Sequence, residues 1–262
     1  MNVLDFKKMK EERRKISMVT CYDYGFAQIL NSTNIDCLLV GDSLAMVQHG
    51  HTSTLPATSE LMALHVRAVV RGAPDKFVVG DMPFLAHRKG LSEAMNAVQT
   101  IMSAGAHAVK IEGVDGHADL LAHIVQSGVP VVGHLGLTPQ SINQFGGFKV
   151  QGKDAGATDW LTAQAKAVEE AGCVAVVLEC VPRQVAQFVS ENISIPTIGI
   201  GAGPDTDGQV LVLNDLLGLN SGFKPKFLRT YLQGFELVQS ALNQYDKDVK
   251  AQIFPSESES YR

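Results

Sequence analysis

The chain has 262 residues, 45% of them hydrophobic and 19% charged, with a formal net charge of −5 and a pI near 5.9. That balance gives no reason to expect nucleic acid or an anionic membrane as a partner, and the length allows one large α/β domain. The N-terminal MNVLDFKKMKEERRK lacks the apolar segment of a signal peptide, and no apolar run approaches the roughly 18–20 residues of a membrane span, so a cytoplasmic protein is expected.

The first fifteen residues space Val3, Leu4, Phe6 and Met9 among charges, the pattern of a short amphipathic helix. Strands are then predicted at Ile16–Thr20, Asp36–Gly41, Phe77–Gly80, Ala108–Ile111, Pro130–Gly133, Val174–Leu178, Pro196–Ile200 and Gln209–Leu213. These short continuous apolar runs fit strands buried on both faces of a parallel sheet. Helices are expected at about Thr58–Arg71, with Thr58 or Ser59 as cap, Ser92–Ala104, between Gly116 and Gly128, and Asp159–Ala171. Pro182 suits the first turn of another, and Lys226–Val249 carries a stripe from Phe227 through Tyr231 and Phe235 to Leu242. Eight strand–helix units in one chain of this size predict a single-domain (β/α)8 barrel over 1–250, including the N-terminal helix. A polar tail, expected to be disordered, fills 251–262. A doubly wound open sheet shares the periodicity and is the alternative.

Cys21, Cys37 and Cys173 fall in or beside predicted buried strands, and no pair has zinc-type C-x(2–4)-C spacing. They are read as reduced core thiols, as is Cys180.

Three successive strands deliver a carboxylate at their C-terminal ends: Val40-Gly-Asp42, Val79-Gly-Asp81 and Lys110-Ile-Glu112. Chemistry collects at that end of parallel strands. Neighbouring strands lie about 4.8 Å apart, so the three acids converge and repel unless a cation neutralises them. Oxygen ligands with no paired cysteine or histidine favour Mg²⁺ over zinc; taken singly, each acid reads as a helix cap or a lysine partner. Lys110, two residues before Glu112, shares its face. Inside a barrel it calls for an anionic substrate or a partner carboxylate, and a Schiff-base role is conceivable. Glu179 ends the sixth strand across the barrel mouth, either as a base facing the substrate or as a helix-dipole partner. His134 ends the fifth, to orient substrate or to pair with a backbone carbonyl. His49 and His51 read as loop polar residues. Ile198-Gly-Ile-Gly-Ala-Gly203 has the look of a phosphate cradle without the following lysine.

Taken together these residues resemble the ketopantoate hydroxymethyltransferase family. The likeness rests on Gly41-Asp-Ser-Leu-Ala-Met46 with Gly50-His-Thr-Ser-Thr-Leu-Pro56, Gly80-Asp-Met-Pro-Phe84 and Val109-Lys-Ile-Glu112. It continues in Gly133-His-Leu-Gly-Leu-Thr-Pro-Gln140, Gly147-Phe-Lys-Val-Gln-Gly152, Leu178-Glu179, Ile195-Pro-Thr-Ile-Gly-Ile-Gly-Ala-Gly203 and Asp207-Gly-Gln-Val-Leu211. Cys21 and Asn214 depart from the family pattern. The resemblance implies a barrel of the phosphoenolpyruvate/pyruvate type that transfers a hydroxymethyl group from 5,10-methylenetetrahydrofolate to 3-methyl-2-oxobutanoate, giving 2-dehydropantoate for pantothenate biosynthesis. It implies Mg²⁺ on Asp42, Asp81 and Glu112, substrate binding by Asp42, Ser43, Asp81 and Lys110, Glu179 as proton acceptor, and a homodecamer. Metal chelation of the 2-keto acid would stabilise the enolate left when the C3 proton is removed. The competing functions are a related barrel that cleaves or rearranges a keto acid, and a non-catalytic assembly or sensor protein.

Overall fold

A computed structural model describes residues 1–147, 151, 155–220, 222 and 225–261. Eight parallel strands close in chain order into a barrel: β1 (Ile16–Thr20), β2 (Cys37–Val40), β3 (Phe77–Asp81), β4 (Ala108–Glu112), β5 (Val131–Gly136), β6 (Ala175–Glu179), β7 (Thr197–Ile200) and β8 (Gly208–Leu211). β8 pairs back to β1, with Met18 opposite Val210. The expected closed barrel, rather than the open sheet, is what these strands form.

α1 (Val3–Glu11) precedes β1, opened by a capping box between Asn2 and Asp5. α2 (Tyr24–Asn31), α3 (Leu44–Val47), α4 (Ser59–Gly72), α5 (Leu91–Ser103), α6 (Ala118–Gln126), α7 (Ile142–Phe145), α8 (Ala155–Glu170) and α9 (Arg183–Asn192) follow among the strands. Thr58 caps α4 by accepting the Leu61 N–H, as its position before the apolar stripe predicts. The chain divides into two compact units, Met1–Leu211 and Val212–Arg262, the second carrying α10 (Leu213–Leu216) and α11 (Gly234–Lys250). The composition boundary at 250 marks the start of the polar tail, whereas this division marks the end of β8.

Three elements differ from the sequence reading. A helix, α2, lies between β1 and β2; it is only eight residues long, and Asp23 caps it through the Phe26 N–H. The β7–β8 connection holds no helix, so the count of eight strand–helix units is one too many: Gly201 and Gly203 take positive φ and Pro204 follows, which breaks helical continuation. The last helix begins at Gly234 rather than near Lys226. At and just before its start, the N–H groups of Tyr231, Gly234 and Phe235 donate to the carbonyls of Leu216, Leu217 and Gly218, which ties that stretch back to the end of α10. The tail also carries a 3-10 turn, Glu257–Glu259, closed by a capping box on Ser256. Phe148 to Val150 and Gly152, within one of the motifs quoted above, lie outside the described residues.

Side chains alternate along each strand, and the interior set sorts by height. Toward the N-terminal end, Ile16, Met18, Cys37, Leu39, Phe77, Val79, Ala108, Val132, Ala175, Val177, Ile198 and Val210 form one apolar cluster with Phe6 and Met9 of α1. α1 therefore closes the bottom of the barrel. The Phe6 ring stands edge-on to Phe77 at 5.3 Å, and burying it contributes about 1.5–3 kcal/mol. Lys10 fastens the helix through Asp207 at 2.9 Å and the Ser190 carbonyl at 2.8 Å. The same alternation, continued upward, brings Asp81, Lys110, Glu112, His134 and Glu179 to the C-terminal mouth.

Candidate active site

The register explains how the polar side chains meet. Asp81 pairs with Lys110 across β3 and β4, Glu112 with His134 across β4 and β5, and Gly136 with Glu179 across β5 and β6. Asp42 follows β2, and its backbone N–H donates to Asp81 Oδ2 at 3.0 Å. Lys110 Nζ stands 3.2 Å from Asp81 Oδ1 and 3.9 Å from Glu112 Oε1, so its nearer carboxylate is Asp81 and not the Glu112 of its own strand. His134 Nδ1 lies 3.1 Å from Lys110 Nζ and 3.4 Å from Glu112 Oε1, while its Nε2 lies 3.1 Å from Glu179 Oε2. The histidine thus links the acid cluster to Glu179 instead of serving a backbone carbonyl. A ring whose Nδ1 accepts from the ammonium and whose Nε2–H points at Glu179 leaves no donor facing a donor.

Asp42, Asp81, Lys110, Glu112 and His134 are all buried. Burial raises the Asp42 pKa well above the carboxylate range, and the charges of Asp81 and Glu112 add to it. Burial raises Asp81 too, although Lys110 and the Asp42 N–H pull it back. For Glu112 burial also works upward, but His134, Lys110 and the Gln140 N–H outweigh it and leave the group below its ordinary value. Burial alone would lower Lys110; the three acids, Asp81 foremost, push it up instead, so it stays an ammonium. His134 is likewise held above its ordinary value, because Glu112 and Glu179 outweigh burial and Lys110.

Among the described residues, no three His, Cys, Asp or Glu side chains stand preset around one metal position. The donor chemistry nevertheless fits a hard divalent cation. Asp81 Oδ1 and Glu112 Oε1 are buried without a hydrogen bond, and the ion-pair distances to Lys110 lack hydrogen-bond alignment. Mg²⁺ is held through one or two carboxylates and keeps waters or substrate oxygens for the rest, so it does not need three preset ligands.

Gln140 is the side chain the sequence reading left unassigned. Its Nε2 donates to Asp42 Oδ2 at 2.8 Å and to the Met82 carbonyl at 2.9 Å, and its backbone N–H donates to Glu112 Oε2 at 3.0 Å. It sits in the 3-10 turn Pro139–Ser141 after β5. A Thr-Pro-Gln start just beyond a strand end is the signal that could have marked it. Tyr22, also unassigned, shares a hydrogen bond with Ser43 at 2.8 Å. His49, in the loop after β2, pairs with His65 of α4 at 3.1 Å. Cys21, Cys37 and Cys173 are buried, and burial pushes the Cys21 thiol up to about 12. Cys180 is half-buried, its thiol raised to about 11 by burial and by Glu179.

Comparison with known proteins shows the family. Residues 1–257 match the family model described as ketopantoate hydroxymethyltransferase. The chain is 59% identical over 256 residues to a 3-methyl-2-oxobutanoate hydroxymethyltransferase from Coxiella burnetii, covering 97% of this chain and 96% of that one. It is 58% identical over 259 residues to the protein of that name from Bdellovibrio bacteriovorus, covering 99% and 98%. In fold it is similar to 2,3-dimethylmalate lyase of the PEP mutase/isocitrate lyase superfamily, with a TM-score of 0.63 at 15% identity, covering 99% of this chain and 91% of that one. That likeness is one of fold, a closed (β/α)8 barrel. With the match running nearly end to end and through every strand that feeds the acid cluster, the chain belongs to the ketopantoate hydroxymethyltransferase family.

Proposed function

We propose that the chain catalyses transfer of a hydroxymethyl group from 5,10-methylenetetrahydrofolate to 3-methyl-2-oxobutanoate, giving 2-dehydropantoate for pantothenate biosynthesis in the cytoplasm. The observation that carries the reading is the buried set of strand-end acids, with two carboxylate oxygens lacking hydrogen bonds beside an ammonium. Asp42, Asp81 and Glu112 would hold Mg²⁺. Bound there, the ion supplies Lewis-acid polarisation of the 2-oxo group.

Lys110 offers its ammonium to the keto acid's carboxylate or developing oxyanion, and Ser43, steadied by Tyr22, adds a hydroxyl. Gln140 holds the Asp42 carboxylate in place. Glu179, on the far side of His134, takes the C3 proton, and His134 keeps Glu179 oriented and balances its charge change. The enolate carbon then forms its bond to the methylene carbon of the donor, and both C–N bonds of that carbon break. Water supplies the hydroxyl oxygen; one proton of the water and the proton taken from C3 go to the two freed nitrogens as tetrahydrofolate leaves, which balances the reaction.

Proton NMR of 3-methyl-2-oxobutanoate in D₂O tests the first half without any folate. The C3–H signal should disappear in the presence of protein and Mg²⁺, and persist without the metal. Glu179→Gln should slow that exchange about 10²–10⁴-fold, the usual worth of a general base. Absence of exchange with the native chain overturns the function; native-like exchange in Glu179→Gln overturns the base.

The family resemblance also implies a homodecamer. The apolar residues Phe235, Val238, Leu242 and Tyr245 of α11 are exposed, which supports self-association of this chain. A monomer in sedimentation at micromolar concentration would overturn that part.

A further inference from the structure

Each of the three strand-end acids already has one oxygen engaged by an amide. Asp42 Oδ2 accepts from Gln140 Nε2 at 2.8 Å, Asp81 Oδ2 from the Asp42 N–H at 3.0 Å, and Glu112 Oε2 from the Gln140 N–H at 3.0 Å. The opposite oxygens of Asp81 and Glu112, Oδ1 and Oε1, accept no hydrogen bond among the described residues. They face the Lys110 ammonium instead, at 3.2 and 3.9 Å. A cationic group therefore already stands against the edge of the cluster that the amides leave open.

Gln140 supplies the donors to Asp42 and Glu112, and its own position is fixed. It is buried in the 3-10 turn that Pro139 opens. Its Nε2 serves two acceptors, Asp42 Oδ2 and the Met82 carbonyl, so the amide has one orientation. Met82 is itself held, its N–H donating to the Lys110 carbonyl at 2.9 Å. Because the bond to Met82 does not involve Asp42, the amide keeps its place whichever way that carboxylate faces.

This arrangement limits how the acids can take a cation. A carboxylate that chelates must turn both oxygens toward the ion. For Asp42 or Glu112 that turn breaks a hydrogen bond and strands a buried N–H of Gln140, which is costly. Giving one oxygen carries no such loss. Mg²⁺ is satisfied by single oxygens at about 2.1 Å in an octahedron, whereas the larger Ca²⁺ takes roughly six to eight oxygens and fills that shell readily with chelating carboxylates. We propose that Gln140 sets the cation selectivity of the site, holding Asp42 and Glu112 as one-oxygen donors so that a small octahedral ion is accepted and Ca²⁺ is disfavoured. Gln140 is thus a positioning residue. The proposal rests on the function proposed above, which puts Mg²⁺ on these acids.

Calorimetric titration of the full chain with Mg²⁺ and with Ca²⁺, in the absence of substrate, tests this. The native chain should bind Mg²⁺ about 10-fold or more tightly than Ca²⁺, the margin set by one buried N–H left unmade. Gln140→Met keeps the length of the side chain and removes its donor to Asp42, while the backbone N–H to Glu112 stays. Its preference for Mg²⁺ should narrow by about the same factor, chiefly through tighter Ca²⁺ binding. Gln140→Leu removes the same donor on a differently shaped stem and should narrow the ratio alike. A role in stability alone would weaken both ions together and leave the ratio unchanged, so a native ratio in either variant overturns the proposal. A native chain that binds Ca²⁺ as tightly as Mg²⁺ overturns it without any variant. C3–H exchange by the native chain with Mg²⁺ reports separately on the proposed function, which stands if exchange occurs and the selectivity does not move.

Discussion

Lys110 meets Asp81 at 3.2 Å and Glu112 at 3.9 Å in a site with almost no water exposure. A buried ammonium costs several kcal/mol unless its surroundings return that energy, and here the acids do so. Their excess negative charge leaves room for one more cation, and the lysine still has a proton to offer an anionic substrate. Lys110→Met removes the charge and keeps the stem. Keto-acid affinity should then fall by about 1.5–3 kcal/mol, one charge-assisted hydrogen bond. Divalent-cation affinity should hold or rise, because Asp81 and Glu112 lose their internal counter-charge. Titration of each ligand separately checks both. Unchanged keto-acid affinity would make Lys110 a counter-ion of the acids and nothing more.

At the scale of elements, the junction of β5 and β6 sets where Glu179 points. Gly136 ends β5 at φ +90, and the Glu179 carbonyl accepts the Leu137 N–H at 2.9 Å. A Cβ at residue 136 would collide with that carbonyl oxygen and come within 2.7 Å of Val181 Cγ2. Gly136→Ala should therefore add about 1–3 kcal/mol of backbone strain, and the collision adds to it. Denaturant midpoints should drop and C3–H exchange should slow together, since the displaced carbonyl belongs to the proposed base; a variant as stable and active as the native chain would refute this. Asp81, Lys110 and Glu112 were legible in the sequence because a period of two fixes which side chains share the barrel interior; Asp42, out of phase with Leu39, was legible only as the acid just past the end of β2. Gln140 was not: it reaches Asp42 from 98 positions along the chain, out of a 3-10 turn with no periodicity to betray it. The missing helix between β7 and β8 was written in Gly201, Gly203 and Pro204, but unit counting overrode those signals. The start of α11 was hidden because its apolar stripe continues through Phe227 and Tyr231 into residues whose backbone bonds go elsewhere.

For the molecule as a whole, stability against acid collects opposing titrations. Asp42 and Asp81 have raised pKa values when folded without a cation, so acidification through those values favours the folded state. His87 works the other way. Its pKa is depressed from 6.5 to about 4, and the folded chain binds fewer protons there than the unfolded chain. Its contribution is fully present above pH 6.5 and is lost as the pH falls toward 4. At 1.36 kcal/mol per pH unit, that interval is worth about 3 kcal/mol at most. His87→Phe keeps a ring against His117 and cannot take up the proton. Its denaturant stability should fall less steeply than that of the native chain between pH 6.5 and 4, while the acids, common to both proteins, cancel in the difference. Below pH 4 the two curves should run parallel again. If the difference between them stays constant across the whole interval, His87 titrates as it does in water and the burial that depresses it is absent in solution.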